Sequence, residues 1–129
     1  GSVSSINYVK NGIAGMLENV PREKLIGGVP FYTRLWTEAG DGTITSKAMG
    51  IAEEKRWVDN NQVELTWQAD TAQYYGEVQT SDGAQFLWME EERSLKEKMN
   101  MIRQNDLAGV ACWKLGFEDS AAWDSIQWN

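Results

Sequence analysis

The sequence predicts an α/β fold: two barrel-type β/α units with a small α+β subdomain, containing an antiparallel sheet, inserted between them. Three observations predict it. Residues 24–31 and 107–113 are short, mostly apolar runs, the composition of strands buried on both faces as in a parallel sheet. Apolar residues at helical spacing precede each run and follow the second. Between the runs, alternating apolar and polar segments surround an Asp-Gly turn signal.

Residues 5–19 read as a helix, because Ile6, Val9, Ile13, Met16 and Leu17 recur at three- and four-residue steps. Ser4 or Ser5 suits its cap, and Pro21 ends it by pushing Val20 out of the helical range. The strand at 24–31 leads into Tyr32, Thr33, Arg34, Leu35 and Trp36, a more polar and aromatic segment expected at a strand's mouth. Residues 39–46 are a loop by composition. A helix is expected over 46–59, carrying Met49, Ala52 and Trp57, with Ser46 as its cap. Three short strands follow, at 63–67, 73–78 and 85–89, the last two joined by the turn Thr80-Ser-Asp-Gly83. Residues 91–105 return to helical spacing through Leu95, Met99 and Ile102, with Ser94 and the charged residues turned outward. Glu90, Glu91 and Glu92 are read as a solvated helix start, where carboxylates favour the dipole. A final helix spans about 120–127.

With the insert removed, the order is α–β–α–β–α, the repeating unit of a (β/α) barrel. Two such strands cannot close a barrel of eight. The parent is therefore expected to be longer, or the open edges to be covered by self-association. The chain divides into residues 1–37, an insertion at 38–92 and residues 93–129, all within one structural domain.

Composition excludes several function classes. The net charge is −7, the wrong sign for displacing counterions from nucleic acid. The 129 residues contain no histidine, which removes Ser-His-Asp triads, Cys-His pairs and His-based metal sites. Cys112 is the one cysteine and stands in an apolar run, so it reads as a small buried hydrophobe. No metal or cofactor is expected. No apolar stretch approaches the roughly 20 residues of a membrane span. No basic-then-apolar leader opens the chain, which says little about its compartment. Seven tryptophans and four tyrosines are the informative excess, since aromatic faces stack on sugar rings as well as filling cores.

Three stretches together resemble family 18 glycoside hydrolases, nearest the bacterial spore-germination and cortex-lytic glycosylases. Residues 20–36 (VPREKLIGGVPFYTRLW) resemble the family's seventh barrel strand and its mouth. Gln73-Tyr-Tyr, continuing to residues 88–96 (WMEEERSLK), is similar to the end of the family's insertion and the helix after it. Residues 107–119 (LAGVACWKLGFED) resemble strand eight. The resemblance implies the last two β/α units of a TIM barrel. The family's acidic D-x-x-D-x-D-x-E signature on strand four has no counterpart here, and its strand-six tyrosine would lie upstream of Gly1. No residue of this chain is therefore expected to be catalytic.

The resemblance makes Trp113 an aromatic floor under the sugar; the alternative is an ordinary core tryptophan. Tyr32, Arg34 and Trp36 alternate with Thr33 and Leu35, so all three can share a face and together hydrogen-bond and stack on an N-acetylated sugar. Their alternative is a packing cluster. Glu118 suits a sugar hydroxyl, whereas Asp119 is better placed to cap the last helix. Among Trp67, Tyr74, Tyr75 and Trp88 of the insert, strand alternation assigns at least half to the core.

The resemblance implies a parent enzyme that hydrolyses bonds in N-acetylglucosamine-containing polymers, peptidoglycan or chitin-like. Its reaction would be substrate-assisted, with the acetamido oxygen attacking the anomeric carbon while a glutamic acid protonates the leaving group. This chain, lacking that acid, is expected to be inactive alone and to act outside the cytoplasm, at cell wall or spore. The rival readings are a non-catalytic carbohydrate-binding module and a structural domain whose tryptophans are all core.

Overall fold

The computed structural model describes residues 1–128. Helix α1 (Ile6–Leu17) opens the fold, with Ser5 as N-cap accepting from the Tyr8 amide. Strand β1 (Ile26–Pro30) follows a short 3₁₀ turn and pairs in parallel with β7 (Gly109–Trp113) along its whole length, from Ile26 opposite Gly109 to Pro30 opposite Trp113. Helix α3 (Glu92–Gln104) lies between them in sequence, and α4 (Ser120–Ser125) follows β7. Gly27 is required where β1 meets α3, because a Cβ there would come within 2.5 Å of the Ile102 side chain. Val29, Phe31, Leu95, Met99, Ile102 and Leu107 form the core of this half. Cys112 packs against that core but is only half-buried.

The other half is a five-stranded antiparallel sheet in the order β3-β2-β6-β5-β4. Its strands are β2 (Tyr32–Glu38), β3 (Ile44–Gly50), β4 (Thr66–Gln68), β5 (Gln73–Thr80) and β6 (Gly83–Trp88). Helix α2 (Ile51–Asn60) covers one face, enclosing Leu35, Met49, Val58, Leu87 and Met89. The β5–β6 turn is the one the Asp-Gly signal predicts: Gly83 has φ +126, and a Cβ there would meet the Glu38 carbonyl oxygen at 2.1 Å.

The structure corrects five expectations. Residues 44–50 form a strand, and helix begins only at Ile51, because this segment pairs with β2 from Glu38 opposite Ile44 to Tyr32 opposite Gly50. Ser46 caps nothing; the N-cap is Gly50, and the Ile51 amide donates to the Phe117 carbonyl at 2.7 Å. Of residues 63–67 only Thr66 and Trp67 are in a strand, while Val63 and Leu65 pack under the sheet. Ser94 points inward and is fully buried, as is Lys98. The acidic run is not a solvated start either: Glu90 is sealed off and Glu91 nearly so.

Candidate functional site

The C-terminal ends of the two parallel strands meet at a cleft of about 320 Å³, lined by Ser4, Pro30, Tyr32, Ala111, Cys112 and Trp113 among others. Backbone hydrogen bonding fixes its floor: the Phe31 amide donates to the Trp113 carbonyl at 2.7 Å. The bond from Trp113 to Lys114 is a cis peptide. The Trp113 side chain is 67% exposed, so it is not a core tryptophan of this chain. The indole is therefore presented to solvent beside the cleft.

Strand β2 rises from this cleft. Thr33 and Leu35 are buried and Tyr32, Arg34 and Trp36 are only partly so, the alternation that sequence predicts. Tyr32 lies against Phe117, ring centroids 5.9 Å apart. Arg34 is held by Ser46, donating from Nε to Oγ at 2.8 Å and from its terminal nitrogen to the carbonyl at 3.2 Å. The Trp36 indole donates to the Gly1 carbonyl at 3.0 Å. Tyr32 shares the cleft with Trp113, whereas Arg34 and Trp36 continue up the sheet face and are not in its lining.

Glu118 is committed locally, accepting from the Gly116 amide at 2.7 Å. Asp119 caps α4 by accepting from the Ala122 amide, and its other oxygen pairs with Lys55 at 2.6 Å. Partial burial acts upward on Asp119, but the Lys55 ammonium and the Ala122 amide outweigh it and hold the carboxyl below its ordinary range.

The sequence reading missed a buried ionic cluster between the halves. Lys98 donates to both Glu90 oxygens, at 2.8 and 3.1 Å, and both side chains are fully buried. Ser94 and Gln73 also donate to Glu90, each at 3.0 Å. Glu91 caps α3 in a reciprocal box with Ser94. Nearby Glu54 of α2 is fully buried with neither carboxyl oxygen hydrogen-bonded. Burial, with the charge of Glu90 next, pushes the Glu54 carboxyl well above the ordinary carboxylate range. Burial also raises Glu90, against the pull of Lys98. A signal was present: Glu90, Ser94 and Lys98 recur at four-residue steps, and on α3 the latter two share the stripe of Leu95, Met99 and Ile102. Glu54, Gln73, Glu90, Ser94 and Lys98 are all fully buried, as groups that hold structure are. Among the described residues, no group of three or more acidic or cysteine side chains is placed to hold a metal ion. No described helix is long and apolar enough to cross a membrane.

A parallel strand pair with an antiparallel sheet inserted after the first strand is an α/β arrangement. Residues 3–118 match the glycosyl hydrolases family 18, and the chain belongs to that family. Among its relatives, it is 25% identical over 128 residues to an uncharacterized glycosylase of Bacillus subtilis, YvbX, and 26% identical over 124 residues to the cortical fragment-lytic enzyme of the same organism. These matches cover 98% and 95% of this chain but only 37% and 29% of the relatives. The fold is shared with the chitinase of Chromobacterium violaceum (TM-score 0.89, 21% identity) and the Bacillus megaterium spore cortex-lytic enzyme SleL (TM-score 0.87, 23% identity). Each superposition takes in 98% of this chain, and 39% and 30% of those chains.

Proposed function

We propose that β1 and β7 are two neighbouring strands of a (β/α)₈ barrel, and that this chain supplies part of the sugar cleft of a glycoside hydrolase acting on N-acetylglucosamine-containing polymers, peptidoglycan or chitin-like. The observation that carries this is Trp113: a large aromatic, exposed at the C-terminal end of a parallel strand, where barrel enzymes build their sites. Tyr32 lines the same cleft and brings a phenol able to hydrogen-bond. Arg34 and Trp36 extend the polar and aromatic surface upward. Glu118, tied to the Gly116 amide at 2.7 Å, keeps a second oxygen for a sugar hydroxyl.

The chain contributes proximity and orientation, and no general acid of its own. The buried carboxyls of Glu54 and Glu90 have no path to a glycosidic oxygen, and Glu118 is engaged in a turn. One relative is named a cortical fragment-lytic enzyme and one fold neighbour a spore cortex-lytic enzyme, which supports action outside the cytoplasm, at wall or spore. The open outer edges of β1 and β7 are the surfaces through which copies would self-associate.

The test is direct. The purified 129-residue chain should not turn over a fluorogenic N-acetylglucosamine oligomer, while its tryptophan fluorescence should shift as unlabelled oligomer is added. Turnover would overturn the assignment of the catalytic acid to residues outside this chain. No spectral change up to millimolar oligomer would overturn the cleft.

A further inference from the structure

The Trp113 cleft has a wall that the strands do not supply. Val3 and Ser4 line it together with Pro30, Tyr32 and Trp113, and Ser4 is buried. Residues 1–5 form neither helix nor strand, so no backbone ladder of their own holds them. Three hydrogen bonds tie this segment and the first residue of α1 to the inserted sheet. The Trp36 indole of β2 donates to the Gly1 carbonyl at 3.0 Å. The Ser2 hydroxyl donates to Oε1 of Gln73, the first residue of β5. The Ile6 amide donates to the carbonyl of Thr71, in the β4–β5 turn, at 2.8 Å.

Gln73 differs from the other two anchors. It is fully buried, and both ends of its amide are engaged. Its Nε2 donates to Glu90 Oε2 at 3.0 Å. Glu90 is paired through both oxygens with Lys98, and a carboxylate can only accept. Glu90 therefore takes the NH₂ end of the amide and leaves the amide oxygen turned to Ser2. The reversed amide would set an oxygen against a carboxylate. A line of hydrogen bonds thus runs from Lys98 through Glu90 and Gln73 to Ser2, and Ser2 adjoins the two residues of the cleft wall.

We propose that Gln73 is a positioning residue for the sugar cleft: its amide, oriented by the Glu90–Lys98 pair, holds Ser2 and so keeps Val3 and Ser4 in place as a wall beside Trp113. Gln73 itself touches no ligand. A wall fixed in advance spares the ligand the entropy of ordering the segment. Freed from Gln73, residues 1–5 would have to be ordered at each binding event, and affinity would fall with no ligand contact removed. This rests on the cleft reading and adds to it the buried group that sets the cleft's shape.

The experiment is a calorimetric titration of the 129-residue chain and its variants with an N-acetylglucosamine tetramer. Gln73→Met should weaken binding roughly five-fold, the scale of one lost hydrogen bond. Ser2→Ala should do the same, and the double variant no more than either, because both remove one contact. Independent effects would multiply to about twenty-five-fold. Ser2→Thr keeps the hydroxyl and should restore binding. Asp119→Ala, which lowers stability at the α4 cap and touches no residue of the wall, should leave affinity unchanged. Should Gln73→Met fold poorly, the Ser2 variants and NMR decide: the Val3 and Ser4 amide signals should move as tetramer is added to the unaltered chain. Unchanged affinity in Gln73→Met and Ser2→Ala, losses that multiply, an equal loss in Asp119→Ala, or Val3 and Ser4 signals that stay still while tetramer binds, each overturns the positioning role and leaves the cleft standing. No binding by the unaltered chain overturns the cleft and the positioning role together.

Discussion

Trp113 and Lys98 invert the usual rule of burial, in opposite directions. The large apolar indole is 67% exposed, and the charged lysine is fully buried. The lysine's charge is met inside by both oxygens of Glu90, and Ser94 and Gln73 complete the hydrogen bonding of that carboxylate. The tryptophan stands exposed at the end of its strand, beside the cleft that Tyr32 also lines. The lysine is paired within the fold, whereas the indole stands exposed at the cleft, and the sugar-stacking role proposed for it is what the contrast puts to the test.

The most damaging way to break the comparison is at Lys98. Lys98→Met leaves Glu90 buried and unpaired, and should cost about 3–5 kcal/mol in urea unfolding. The double change with Glu90→Gln should recover a large part of that loss, since removing both charges is often near neutral.

Glu54 gives the next effect, through pH. Its carboxyl is raised in the folded chain above the unfolded value of 4.5, by burial first and then by the Glu90 charge, with Glu91 adding and neighbouring Lys55 opposing. A raised carboxyl favours the folded state while protonated. Its contribution is therefore complete below about pH 4.5 and is lost as pH rises through the folded value. Glu54→Gln should match the unaltered chain near pH 4 and exceed it by roughly 1–3 kcal/mol at alkaline pH. Asp119 and Glu92, held low after the Lys55 ammonium outweighs partial burial, act in the opposite sense and lose their contribution as pH falls. Comparing the two proteins at each pH cancels those terms.

Asp119→Ala removes the α4 cap and should cost about 1 kcal/mol, read as a lower melting temperature. The smallest expected effect sharpens the contrast most. Trp113→Ala, at an exposed position, should change stability by no more than about 0.5 kcal/mol. A large loss there would make Trp113 a core residue after all.

Much of this fold is legible in sequence wherever local pattern and tertiary environment agree. The stripe of α1, the apolar runs of β1 and β7 and the Asp-Gly turn of β5–β6 each carry their own signal. Strand β3 does not. Ser46, Lys47, Ala48 and Met49 are neutral between helix and strand, and only pairing with β2 decides among them. The outward reading of Ser94 and Lys98 fails because both donate to the Glu90 carboxylate, four and eight residues upstream, and Glu90 is itself buried with Gln73 donating to it from β5. At the candidate site, the alternation of Tyr32, Arg34 and Trp36 is readable from spacing alone. Assigning Tyr75 and Trp88 to one face and Trp67 and Tyr74 to the other needs the strand register.

The cleft itself is tested most directly by titrating the 129-residue chain and its Trp113→Ala variant with an N-acetylglucosamine tetramer in a calorimeter. The unaltered chain should release heat of binding, and the variant, with its melting temperature preserved, should bind at least about ten-fold more weakly. Equal binding by the two proteins would contradict the assignment of Trp113 as the sugar-stacking floor.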